Sequence, residues 1–165
     1  MLAGDFNAKN RVDNDYVCDM GDKHSPINDL DTYTYDIPIR RRNTDKHPVD
    51  HQGQRLLQLC KNVGIRLLNG RSPGDRVGNL TRYPLAMRES PSTLDYIATD
   101  TKMIENIRNF LVLPYLGLSD HCSLCVSINT SFICGETNDA VMMNKVTPHK
   151  YVNGAKFLMK LNAPI

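Results

Sequence analysis

The sequence predicts an α/β fold with a mixed, mostly antiparallel sheet. Two observations carry the prediction. Short apolar or alternating runs bounded by Gly, Pro, Asn and Asp recur at residues 1–4, 65–69, 80–83, 93–99, 110–113 and 122–128, as strands do. Residues 50–63 instead space their apolar side chains for a helix. At 165 residues, with 41% hydrophobic and 23% charged residues, the chain has the size and composition of one globular domain or part of one.

Residues 1–4 read as the last residues of a strand running into Asp5-Phe6-Asn7. Residues 8–50 are rich in Asp, Asn, Pro and Thr without periodicity, which predicts a long surface loop. In the helix that follows, Asp50 or His51 caps the start, Leu56, Leu57, Leu59, Cys60 and Val63 form the apolar stripe, and Gly64 closes the end. Residues 65–69 are the next strand, residues 70–78 a turn-rich connection, and residues 80–83 a short strand. After a loop at 84–91, residues 93–99 alternate as a strand, residues 102–109 form a short helix, and residues 110–113 return to strand until Pro114 ends it. Residues 122–128 are the last clear strand. Residues 131–165 turn polar and irregular, a linker or tail in which 156–161 suggests a short amphipathic helix.

Lys and Arg nearly balance Asp and Glu, so nothing resembles the strongly basic tail of a protein that holds nucleic acid by charge alone. The net charge of +2 is uninformative by itself. Its distribution says more: Asp13, Asp15, Asp19, Asp22, Asp29, Asp31 and Asp36 crowd one stretch, and Arg40, Arg41, Arg42 and Lys46 follow it. A solvated loop accounts for both runs most cheaply, and contact with a phosphate backbone is the sharper alternative. No apolar run has membrane-spanning length and no signal-peptide pattern follows Met1, so the chain reads as intracellular, nuclear or cytoplasmic. Five cysteines without regular spacing argue against a disulfide framework. Cys122 and Cys125 form a CxxC on a predicted strand, where residues three apart face opposite sides, so packing is favoured over metal binding.

Three short motifs carry chemistry: Gly4-Asp5-Phe6-Asn7, Ser92-Thr93-Leu94-Asp95-Tyr96 and Ser119-Asp120-His121, each at a predicted strand end. A rigid sheet holds such groups while adjoining loops open to solvent. Phosphodiester hydrolysis needs a group to orient water, donors to the phosphoryl oxygens and a cation for the leaving oxygen. Asp5 suits the first task and Asn7 the second. Asp95 could fix the tautomer of His121, and Asp120 is a candidate metal ligand. Singly, each motif reads equally well as a turn or a surface pair.

Together the triple resembles that of the endonuclease/exonuclease/phosphatase superfamily. Residues 51–60 and 64–71, His-Gln-Gly-Gln-Arg-Leu-Leu-Gln-Leu-Cys and Gly-Ile-Arg-Leu-Leu-Asn-Gly-Arg, are similar to the stretch between the first and second motifs in endonuclease domains of non-LTR retrotransposons. The resemblance covers about residues 2–130. It implies the C-terminal half of a DNase I-like four-layer α/β sandwich. It also implies catalytic roles for Asp5, Asn7, Asp95 and His121, Asp120 near a Mg²⁺ ion, and DNA as partner. Thr81, Tyr83 and residues 84–91 match the region nearing the nucleic-acid groove, with Arg82 and Arg88 as phosphate contacts. Residues 156–164 are similar to the segment that joins such nucleases to a reverse transcriptase domain, a further possible partner.

The family's first half, with an Asn and a metal-binding Glu on early strands, has no counterpart ahead of Asp5. The expectation is therefore a truncated sandwich with one unusually apolar sheet face and little or no activity in isolation. Two readings of function stand at this point: a Mg²⁺-dependent DNA endonuclease, and a catalytically inert fragment that at most binds nucleic acid. A phosphatase of the same superfamily is a third.

Overall fold

The computed structural model describes residues 1–17, 39–86, 88–129 and 157–162. The elements run β1 (Leu2–Asp5), α1 (His51–Val63), β2 (Ile65–Leu67), β3 (Asp95–Asp100), α2 (Thr101–Ile104), β4 (Ile107–Val112), β5 (Leu124–Asn129) and β6 (Phe157–Asn162). They make a mixed α/β fold with two small sheets, ordered β1-β3-β2 and β4-β5-β6. The first sheet is antiparallel throughout, and β6 pairs in parallel with β5. Among the described residues no helix is long and apolar enough to cross a membrane.

Strand alternation sorts the core into two clusters. Tyr96 and Ala98 of β3, with Leu67 of β2, face Leu56, Leu57 and Cys60 of α1. Ile97 and Leu68, one residue out of phase, face Ile107, Phe110, Leu124, Val126 and Ile128 of the second sheet. The first sheet thus has the helix on one face and the second sheet on the other, burying β3 and most of β2 while β1 at its edge stays partly open. Each Leu, Ile, Val and Phe side chain in the two clusters contributes about 1.5–3 kcal/mol by leaving water.

Helix α1 starts at Asp50, whose carboxylate accepts from Gly53 N at 2.7 Å, and ends at Gly64 with φ 69°. Its buried residues are Gly53, Leu56, Leu57 and Cys60. The expected stripe is narrower than read, because Leu59 and Val63 are exposed. Leu59 falls roughly a third of a turn from the centre of the buried face, and Val63 sits in the last turn.

Other expectations need correction. Residues 80–83 form no strand; Arg82 alone makes bridges. The helix expected at 102–109 stops at Ile104, and β4 already begins at Ile107. The amphipathic helix expected near the C-terminus is strand β6, registered on β5 from Leu124↔Phe157 to Asn129↔Asn162. The expected bare apolar face is not seen among the described residues, because α1 and the second sheet cover the first. On the outer face of β4 and β5, Asn109, Leu111, Cys125 and Ser127 are half-buried and chemically mixed.

The solvated-loop reading of residues 8–50 fails most clearly at Asp15 and Arg41, which are 0% and 6% exposed. Asp15 lies against the free edge of β2. Its Oδ2 accepts from Leu67 N at 2.8 Å and its Oδ1 pairs with Arg71 Nη2 at 2.7 Å. An edge strand leaves backbone donors unpaired, and here a carboxylate takes one of them. Asp45 is buried too, accepting from Thr93 N at 2.8 Å and contacting His47 Nδ1 at 2.6 Å. Asp13 is exposed as expected. Asp19, Asp22, Asp29, Asp31 and Asp36 lie outside the described residues, as do residues 131–156 of the expected tail.

Candidate active site

The three motifs converge through the backbone. In the first sheet Asp5 is the register partner of Asp95, so the end of β1 meets the start of β3. Residues 81–83 then lie between residue 92 and residues 120–122. Arg82 exchanges hydrogen bonds with Ser92 at 2.8 and 3.0 Å, Tyr83 N donates to Asp120 O at 2.7 Å, and Cys122 N donates to Thr81 O at 2.7 Å. This stitch carries His121 to the side of Asp95. Thr81, fully buried, accepts from Leu94 N and Asp95 N through its hydroxyl, each at 3.0 Å. Thr81 therefore positions Asp95 and is not open to a nucleic-acid groove.

Asp95 Oδ2 lies 2.8 Å from His121 Nδ1. With a proton on Nδ1, that contact leaves Nε2 facing the remaining carboxylates, Asp5 Oδ2 at 3.9 Å and Asp120 Oδ1 at 4.0 Å. Burial pushes the Asp95 carboxyl up, and the hydrogen bond from His121 and the nearby Thr81 hydroxyl oppose that rise. Asp95 Oδ1 is buried without a hydrogen-bond partner. The dyad is inside the fold, whereas the Asp5 and Asp120 side chains are 19% and 35% exposed. One end of the site is dry and fixed, and the other opens to solvent.

Asn7 sits two residues beyond Asp5, at a positive φ of 47°, a region that Asn tolerates better than most residues. Its backbone N donates to Asp5 Oδ1 at 2.9 Å, which leaves Asp5 Oδ2 for the cleft. The turn is braced from below. Phe6 N donates to Leu94 O at 3.0 Å, and the Tyr96 hydroxyl lies 2.8 Å from Ala8 O and 2.7 Å from Thr93 O. Lys9 and Asp50 exchange hydrogen bonds at 3.0 and 3.1 Å. Any side chain at Gly53 would run into Lys9 O, so glycine there lets α1 approach the turn.

The expected phosphate contacts stand differently. Arg82 gives Nε to Asp120 Oδ2 at 3.1 Å and Nη1 to Glu89 Oε2 at 2.9 Å. Those hydrogen bonds, Asp120 first, raise its pKa further. Arg82 thus orients Asp120, using two of its five N–H donors on carboxylates while its side chain stays 26% exposed. Arg88 is exposed on the loop. Tyr83 stacks on Tyr115 with centroids 5.0 Å apart. Cys122 is buried and Cys125 half-buried, both as free thiols.

Sequence reasoning missed Thr81 as a positioning residue, along with Tyr96 and Asp45. A lone Thr between Leu80 and Arg82 carries no signal of its role until the strand whose backbone N–H groups it accepts from is known. Asp45-Lys-His47 does carry a weak one, since Asp at that spacing commonly bonds the backbone two residues on.

Asp5, Asp95 and His121 each place one ligand atom within 4.8 Å of the others, a group able to hold a cation. Carboxylate oxygens suit a hard divalent ion. Because Asp95 Oδ2 is engaged by His121, Asp5 Oδ2 is the open carboxylate oxygen of this group, and Asp120, with Oδ1 4.0 Å from His121 Nε2, lies outside it. No family model, curated protein or solved structure matches the chain.

Proposed function

We propose that the chain carries out metal-dependent hydrolysis of a phosphodiester bond in DNA, in the manner of a retrotransposon-type endonuclease. The observation that carries the reading is the Asp95–His121 contact of 2.8 Å with Asp5 Oδ2 3.9 Å from the free ring nitrogen. The order of layers, helix on sheet on sheet, supports half of a DNase I-like sandwich as the scaffold.

In this reading Asp5 Oδ2 orients the attacking water and takes its proton, while the side-chain amide of Asn7 donates to a phosphoryl oxygen. His121, held by Asp95, presents Nε2 to the phosphate. Asp120 would hold Mg²⁺, which when bound would neutralise charge on the leaving oxygen. No glutamate joins the cluster among the described residues, and Arg82 holds one oxygen of Asp120. Ion affinity is therefore low and turnover by these residues alone is weak. That same Arg82–Asp120 contact favours the second reading, a chain that binds nucleic acid without cleaving it.

Nicking of supercoiled plasmid at several Mg²⁺ concentrations tests both. Slow nicking that is lost in His121→Ala supports hydrolysis. Nicking equal in His121→Ala and wild type refutes it, and no nicking at any ion concentration leaves the reading of binding without cleavage.

A further inference from the structure

The basic run Arg40-Arg41-Arg42 takes no part in the site above, yet it has a defined place in the fold. Two clefts of about 300 and 630 Å³ share Arg40, Arg41 and Arg71 in their walls. The larger is lined by Arg40, Arg41, Arg42, Gly70, Arg71 and Arg76, with no carboxylate among the described residues of its wall. The backbone brings these segments together. Arg42 N donates to Gly70 O at 2.9 Å, and Gly70, at φ 77°, has no room for a Cβ against Arg42 O.

The charges do not balance locally. Arg71 meets Asp15 through Nη2 alone, and Asp15 also serves Leu67 N. Arg41 Nη2 donates to Asn10 Oδ1 at 2.7 Å and to the carbonyls of Asn10 and Asp13 at 3.3 Å, all neutral acceptors. Nε and Nη1 of both Arg41 and Arg71 stay buried without a partner. The Arg71 side chain is 1% exposed and Arg41 6%. Arg41 is buried without an ion pair of its own, and the one buried carboxylate near it, Asp15, is already paired with Arg71. Two buried guanidinium groups therefore share a single counter-charge, which is unfavourable. Planar forks of N–H donors match the oxygens of a phosphate, which also supplies the missing negative charge.

We propose that Arg41, Arg42, Arg71 and Arg76 form a phosphate-binding site, separate from the Asp5–Asp95–His121 cluster. Its lining shares no residue with that cluster. Asn69, which precedes Gly70, donates to Asp95 O at 3.0 Å, so the cleft opens beside the end of the sheet that carries Asp5 and Asp95. The ligand is a phosphate group, either free or part of a nucleic-acid backbone. The proposal holds whether or not the neighbouring cluster cleaves anything.

Inorganic phosphate is titrated onto the full chain during urea denaturation, against sodium chloride at equal ionic strength. At ten times the dissociation constant, phosphate should shift the folding equilibrium about elevenfold toward the native state. The double substitution Arg42→Gln/Arg76→Gln, both at exposed positions, should abolish the shift. In the wild-type chain, the Nε–H resonances of Arg41 and Arg71 should move with phosphate, a readout that needs no variant. Binding of a short single-stranded DNA separates the two sources. If the double variant binds DNA more weakly, with a shallower salt dependence, the occupant is a backbone phosphate. If DNA binding is unchanged while the phosphate response is lost, it is a free phosphate. Phosphate acting no better than chloride, a double variant that responds like wild type, or a response lost in His121→Ala instead would each overturn the proposal.

Discussion

Replacing Asp15 by alanine removes the carboxylate that ties the loop at residues 13–17 to the edge of β2. Its two oxygens make one hydrogen bond to Leu67 N at 2.8 Å and one ion pair to Arg71 at 2.7 Å, both fully buried. Hydrogen bonds to a charged group contribute about 1.5–3 kcal/mol each, and breaking a buried pair by deleting one partner costs about 3–5 kcal/mol. The two figures describe the same contacts, so they overlap, and a loss of about 3–5 kcal/mol is expected. Domains of this kind have about 5–15 kcal/mol in total, so the variant loses a large share of its stability. With a urea m-value of about 2 kcal/mol/M, the midpoint should fall by roughly 1.5–2.5 M at unchanged m. Asp13→Ala, at an exposed position two residues earlier, should stay within about 0.5 kcal/mol of wild type. An Asp15→Ala midpoint within about 0.5 M of wild type would refute the claim that this acidic run is partly core.

Burial pushes the Cys60 thiol up to about 12 from its ordinary 9.0. The folded state keeps the proton longer than the unfolded chain, so stability is whole below pH 9 and falls as pH rises toward 12, by up to about 1.4 kcal/mol per unit. Urea midpoints between pH 8 and 11 should fall more steeply for wild type than for Cys60→Ala. Gly64→Ala should cost about 1–2 kcal/mol, the penalty of left-handed backbone alone, since a Cβ there meets nothing within 4 Å. Gly70→Ala, with similar φ but backbone in the way, should cost clearly more in the same denaturation assay, and equal losses would count against the packing of Arg42 on Gly70. Asp95→Asn keeps the shape of the dyad but removes the charge that holds His121 Nδ1–H; nicking should fall at least a hundredfold with native circular dichroism retained. Unchanged nicking would show that the dyad is only structural.

Local patterns in the sequence determined the elements that depend on local chemistry. The cap at Asp50, the stop at Gly64, and the strands around Tyr96 and Val126 follow from side-chain period and backbone preference, which neighbours along the chain decide. The order of the three motifs also named Asp5, Asp95 and His121 before their distances were known. Tertiary structure alone decided that residue 82 would bridge residues 92 and 121, because register between distant segments has no local signature. It also decided which charges are buried. Asp13 and Asp15 are indistinguishable in composition, yet one faces water and the other closes the edge of β2. The same holds for the arginines: a run of three reads as a solvated stretch until the chain folds Arg71 and Arg76 around it. Period and propensity act over a few residues, whereas burial of a charge is set by whatever segment packs on top of it, and that partner here lies some fifty residues away.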